Sequence, residues 1–118
     1  MQIEELINKY EDFGDAKILN MHLSTEPNTN ISLKIRCMNA QNNYAWEVLD
    51  LIFEGVTSYR FNQEERTCSV VIDTALFKSL DIGYVFDFFP LTFENNLLEI
   101  NPLSDLLIRC KSVKLLSA

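Results

Sequence analysis

The chain of 118 residues carries a single histidine, His22. A Ser-His-Asp or Cys-His constellation has to be built around that residue, and a zinc centre using it needs three further carboxylate or thiolate ligands. No motif supplies such an arrangement. His22 shares a strand phase with Asn20, the polar phase, and so reads as an exposed or hydrogen-bonded surface histidine. The cysteines, Cys37, Cys68 and Cys110, are odd in number and stand 31 and 42 residues apart, far from the close pairs that metal sites use. Cys37 is in phase with Leu33 and Ile35, Cys68 with Val70 and Ile72, and Cys110 with Leu106 and Ile108. That is the place of a small buried hydrophobe, and three reduced core thiols are expected. Asp and Glu are plentiful enough for two-carboxylate chemistry, but no spacing singles out a pair, and a chain of this length has little core to give up to a cleft. With 3 glycines there is no glycine-rich phosphate cradle. The chain is therefore read as a non-enzyme with no metal and no cofactor.

Seventeen acidic against ten basic residues give a net charge of −7 and a pI near 4.6. Such a field repels phosphate backbones and anionic lipid, so neither nucleic acid nor membrane is expected as a partner. The acidity is uneven: residues 1–15 hold −4, residues 81–105 hold −5 with no basic residue, and the remainder sums to +2. Acidic blocks favour solubility, and they also complement a basic partner protein. The second block overlaps the most aromatic segment, Tyr84 to Phe93, in which both strand phases are apolar apart from Asp87 and Thr92. One reading is a strand buried on both faces or covered by the N-terminal helix. The other is an exposed aromatic strip beside carboxylates, the composition of a protein-binding hot spot with acidic steering. On that reading Asp81, Tyr84, Phe86, Asp87, Phe89 and Glu94 are the partner-binding candidates. Trp46, the lone tryptophan, lies in the longest apolar run and is expected in the core.

These residues must be positioned by a mainly β (α+β) fold. Ile3, Leu6, Ile7 and Tyr10 follow helical spacing, and Gly14 and Asp15 end that helix, Gly14 being expected to leave it through a left-handed conformation. The period then changes to two. Ala16–Leu23 alternates with Leu19, Met21 and Leu23 on one side, and Ile31–Met38 alternates after a turn-rich stretch, which predicts a hairpin. In Tyr44–Glu54, Trp46 and Val48 share one phase while Leu49, Leu51 and Phe53 share the other, which predicts a bulge or a strand covered on both faces. Gly55 fits a bend before Val56–Phe61. Thr67–Asp73 is a β-branched strand, and residues 74–82 fit a helical turn or an irregular connection. Gly83–Phe93 is an edge or kinked strand because it contains Pro90. Leu97–Ile100 and Leu106–Val113 complete the chain. One domain over residues 1–118 is expected, an antiparallel β-sandwich or partly open barrel of about seven or eight strands with one N-terminal helix. Segments of helical period do not separate the strands, which excludes parallel βαβ units. The N-terminus has neither the apolar core nor the cleavage site of a secretory signal, and no apolar run is long enough to span a bilayer, so a cytoplasmic location is expected.

The order of features is a short helix ending at Phe13-Gly14-Asp15-Ala16, a hairpin, then Val48-Leu49-Asp50-Leu51-Ile52-Phe53-Glu54-Gly55-Val56, Ser58-Tyr59-Arg60-Phe61, and a late Ile108-Arg109-Cys110. It is similar to a loose group of small bacterial proteins, several families of which look like immunity proteins of polymorphic toxin systems. The resemblance implies an antiparallel β fold and a binding role, and it carries over no catalytic residue. The expected function is a non-enzymatic protein-binding module, an immunity protein neutralising a basic toxin domain through its acidic segments, as monomer or homodimer. The alternatives are a β-barrel carrier with an aromatic-lined cavity for a small molecule, and a structural homo-oligomer subunit with an apolar edge near Pro90.

Overall fold

The computed structural model describes residues 3–62, 70–72 and 74–117. Cys68 and most of the strand expected over Thr67–Asp73 lie outside those residues. The amphipathic spacing at the N-terminus forms α1 (Ile3–Tyr10), which buries Leu6 and Tyr10. Eleven strands follow among the described residues: β1 (Lys17–Ser24), β2 (Asn30–Asn39), β3 (Ala45–Glu54), β4 (Ser58–Phe61), β5 (Val70–Val71), β6 (Leu76–Ser79), β7 (Tyr84–Asp87), β8 (Leu91–Thr92), β9 (Leu98–Glu99), β10 (Leu106–Cys110) and β11 (Ser112–Ser117). All of their pairings are antiparallel.

One sheet has the order β11-β3-β2-β1-β5, a second has the order β4-β10-β7-β6, and β8 and β9 form a separate two-stranded hairpin. The inner faces of the two large sheets share one core: Phe53 of β3 meets Phe86 of β7 edge-on, with ring centroids 4.9 Å apart. This is the mainly β, α+β sandwich that the strand pattern predicts. The strands outnumber the expected seven or eight because several apolar runs are cut. Pro90 separates β7 from β8, Gly55 separates β3 from β4, and Lys111 separates β10 from β11.

The last two breaks lie side by side. At each the chain passes from one sheet to the other, and the Lys111 N–H donates to the Glu54 and Gly55 carbonyls at 3.0 and 3.2 Å. Gly55 has a φ of +61°, and a Cβ there would stand 3.0 Å from Lys111 Cδ, so the bend expected at this glycine is a corner between layers.

Five local expectations are corrected. Gly14 does not take the left-handed conformation; its φ is −56°, and Glu11, Asp12 and Phe13 take it instead at 47°, 56° and 55°. The fully buried Phe13 ring, stacked on Tyr10 at 5.7 Å, fixes the turn in place of glycine's freedom. In β1 the pairing with β2 skips a position between Ile18 and Asn20, so Ile18 and Met21 face the core and Leu19 is exposed. The β2–β3 register runs unbroken from Ile31 opposite Phe53 to Asn39 opposite Ala45, so β3 has no bulge and its two apolar phases are its two faces. Leu49, Leu51 and Phe53 point into the core, while Trp46, 48% exposed, lies on the outer face with the Arg36 guanidinium 4.8 Å above its ring. Residues 76–79 are strand β6, because Phe77 packs between Phe13, Phe86 and Phe88. Cys37 and Cys110 are buried and free, and His22 is exposed on β1. Among the described residues no helix is long and apolar enough to cross a membrane.

Candidate protein-binding surface

Strand β7 carries the centre of the aromatic segment into the core. Val85, Phe86, Asp87 and Phe88 are fully or almost fully buried, Phe86 against Phe53 and against Phe77 at 4.4 Å. Of the six partner-binding candidates, Phe86 and Asp87 therefore have no surface to offer a partner. Tyr84 and Phe89 are half-buried at the two ends of the strand, and Asp81 and Glu94 are exposed. Asp81 sits in the β6–β7 turn and Glu94 beyond the far end of β7, so these two carboxylates leave opposite ends of a strand roughly 13 Å long.

The far end of β7 roots a projecting hairpin. Asp87 accepts hydrogen bonds from the Phe89 N–H at 3.0 Å and the Asn101 N–H at 2.7 Å, and Asn101 Nδ2 donates to the Phe89 carbonyl at 3.1 Å. The two feet of the hairpin are thus tied to one buried carboxylate. Between them β8 and β9 pair Leu91 with Glu99 and Thr92 with Leu98, and the Phe93 N–H donates to the Leu97 carbonyl at 2.8 Å. Glu94–Asn96 closes the turn with Asn95 at a φ of 63°, a conformation that asparagine adopts readily. Since side chains alternate along a strand, Leu91, Phe93, Leu97 and Glu99 share one face. That face is open: Phe93 is 48% and Leu97 59% exposed, and Leu103 in the next turn is 73% exposed. Glu94 and Glu99 are exposed on the same hairpin, whereas Asp105, also exposed, stands immediately before β10 and accepts from Asn62 Nδ2 at 3.3 Å, beside the Arg60 side chain, whose Nε donates to the Ser104 carbonyl at 3.1 Å.

The hairpin therefore presents apolar side chains beside two exposed carboxylates, Glu94 and Glu99. Of the candidates chosen from sequence, only Glu94 stands on this hairpin. Leu91, Phe93, Leu97 and Glu99 were legible as a group only through the Asn95-Asn96 turn, which pairs residue 93 with residue 97 and residue 91 with residue 99. The aromatic count pointed instead to the half of the segment that the core consumes.

The other polar cluster closes the end of the sandwich under α1. Tyr10 Oη donates to Glu47 Oε1 at 3.3 Å, and Asn39 Nδ2 donates to Glu47 Oε2 at 2.8 Å. Burial first, and then the Glu47 charge, push the Tyr10 hydroxyl up to about 12 and the neighbouring Cys37 thiol up to about 12. Both groups stay protonated at neutral pH, so the cluster is a clamp for the helix and holds no thiolate nucleophile. An open groove of about 330 Å³ at the Gly55 corner is lined by Thr25, Asn28, Thr29, Thr57 and Lys111, with no aromatic ring. Among the described residues no group of three His, Cys, Asp or Glu side chains is placed to hold a metal ion. Compared with family models, curated proteins and solved structures, the chain matches none.

Proposed function

We propose that the chain is a non-enzymatic protein-binding module whose recognition surface is the β8–β9 hairpin, and that its partner presents a basic surface. The observation that carries this reading is the pairing of exposed Leu91, Phe93 and Leu97 on one hairpin face with the exposed carboxylates Glu94 and Glu99 of the same hairpin, on a root fixed by a buried carboxylate. Exposed apolar side chains with charged groups beside them are the pattern of an interaction site, and charges of one sign steer an oppositely charged partner. The finer reading, drawn from the sequence resemblance, is a cytoplasmic immunity protein that occludes a basic toxin domain. The packing of Phe53, Phe77, Phe86 and Phe88 on one another favours a binding surface over an aromatic-lined carrier cavity.

The test is capture from a lysate of the source organism by the wild-type chain and by two hairpin variants, Phe93→Ser/Leu97→Ser and Glu94→Lys/Glu99→Lys. A basic protein retained by wild type and lost by both variants is the expected result. With that protein in hand, the charge-reversed variant should lower the association rate by about tenfold at low salt and flatten its salt dependence. A partner that both variants retain equally places the interface elsewhere. The immunity reading adds that the captured protein arrests growth when expressed alone and not when the chain is co-expressed.

A further inference from the structure

The outer face of the five-stranded sheet has the opposite polarity to the hairpin. Register places Leu116, Asp50 and Lys34 in one cross-strand row and Val48, Arg36 and Lys17 in the next, with Trp46 beyond them on β3. The residues between them, such as Leu49, Leu51, Leu33 and Ile35, fill the core, so these side chains point to solvent. In the described cross-strand rows Lys17, Lys34 and Arg36 stand with one carboxylate, Asp50, while Glu54 on the same face pairs with Lys114 at 3.3 Å. Trp46, Val48 and Leu116 are exposed among these cations, with the Trp46 ring beneath the Arg36 guanidinium. Tryptophan and arginine over an apolar base are the residue types that dominate binding energies at protein interfaces.

The chain itself supplies the complement: a hairpin with Phe93 and Leu97 among Glu94 and Glu99. The outer face is turned away from the second sheet, from which the hairpin springs, so the two surfaces do not meet within one copy. We propose that copies of this chain associate head to tail, the acidic hairpin of one seated on the cationic Trp46 face of the next. This rests on the hairpin being a recognition surface and adds a second copy as one occupant. The contact is heterologous, so it leaves a free hairpin at one end of each assembly and a free face at the other. A narrow hairpin on a face on the order of 20 Å across buries less than a standard interface. The association is therefore weak, concentration-dependent and screened by salt.

The experiment is sedimentation or light scattering of the full chain from about 10 μM to about 1 mM. Wild type should gain about twofold in weight-average mass over that range and lose the gain in about 0.5 M NaCl. A face variant, Lys34→Glu/Arg36→Glu, and a hairpin variant, Phe93→Ser/Leu97→Ser, should each be monomeric alone. Mixed in equal amounts they should form a 1:1 dimer and nothing larger, because the hairpin of the first still fits the face of the second. Trp46 fluorescence of the unmodified chain gives a readout that needs no variant: its emission should change with protein concentration and revert with salt. A wild type that stays monomeric throughout overturns the proposal, and binding of an acidic peptide or an oligonucleotide to the monomer's face would then reassign that face. A dimer that either variant retains overturns it in favour of a symmetric interface elsewhere. A monomeric chain that still captures a basic protein through its hairpin defeats this inference alone. Head-to-tail association without such a capture defeats only the basic-partner reading.

Discussion

Asp87 has no exposed surface, and its carboxylate accepts from the Phe89 and Asn101 backbone N–H groups. Hydrogen bonds to a charged group contribute about 1.5–3 kcal/mol, and a buried donor left without an acceptor costs its full desolvation. Asp87→Ala should therefore lower unfolding free energy by roughly 2–4 kcal/mol. Asp87→Asn keeps one accepting oxygen and turns an amide N–H₂ towards the other donor, so its loss should be smaller, roughly 1–2 kcal/mol. Phe93, by contrast, is half exposed and supports little of the core, so Phe93→Ser should change stability by about 0.5 kcal/mol or less. Urea titration followed by circular dichroism measures all three. A residue that holds the hairpin and a residue that uses it are thereby separated: equal losses for Asp87→Ala and Phe93→Ser would mean that Phe93 belongs to the core.

At the scale of elements, the β6–β7 turn shows how much of the fold local chemistry dictates. Gly83 has a φ of +89°, and a Cβ there would stand 2.3 Å from the Cys110 carbonyl oxygen of the adjacent strand, so Gly83→Ala meets both strain and a backbone clash. A loss of about 2 kcal/mol or more in unfolding free energy is expected, against a near-neutral Ile82→Ser one residue away in the exposed turn. The elements themselves were legible where one period dominates. The helix over residues 3–10, the β1–β2 hairpin and the Gly55 bend follow directly from spacing and from glycine. The β1 phase was not, because a bulge that skips one position leaves no mark in the sequence itself. The side of β3 that carries Trp46 was not legible either: a strand with two apolar phases looks the same whether its second face is covered by another element or left open for use. The hairpin that carries the candidate site was half legible. Pro90 and Asn95-Asn96 mark its limits, but nothing local says that Phe86 and Phe88 turn inward while Phe93 turns out; that follows from Phe53 and Phe77, which reach β7 from elsewhere in the chain.

Over the whole molecule, the buried ionisable groups tie stability to alkaline pH. Burial, and for Cys37 also the Glu47 charge, raise the Cys37 thiol from an ordinary value near 9 to about 12, and burial raises Cys110 to about 11. Tyr10 moves from 10 to about 12 for the same reasons as Cys37. In each case the folded state holds a proton that the unfolded chain releases. Below pH 9 both states are protonated and the contribution is fully present; above pH 9 the unfolded state binds fewer protons, so stability falls as pH rises, until the folded groups themselves titrate near 11 to 12. Each buried thiol adds a slope of up to about 1.4 kcal/mol per pH unit in that window. The melting temperature should be flat from pH 7 to 9 and decline from 9 to 11. The excess negative charge acts in the same direction, since lysines that lose their protons leave a chain of net charge −7 still more self-repelling. Variants separate the two effects. Cys37→Ala and Cys110→Ala should be less stable than wild type at pH 7, because each leaves a small cavity, yet both should show a shallower decline above pH 9. If their melting curves run parallel to that of wild type across the alkaline range, the thiols do not set the slope and the general charge of the molecule does.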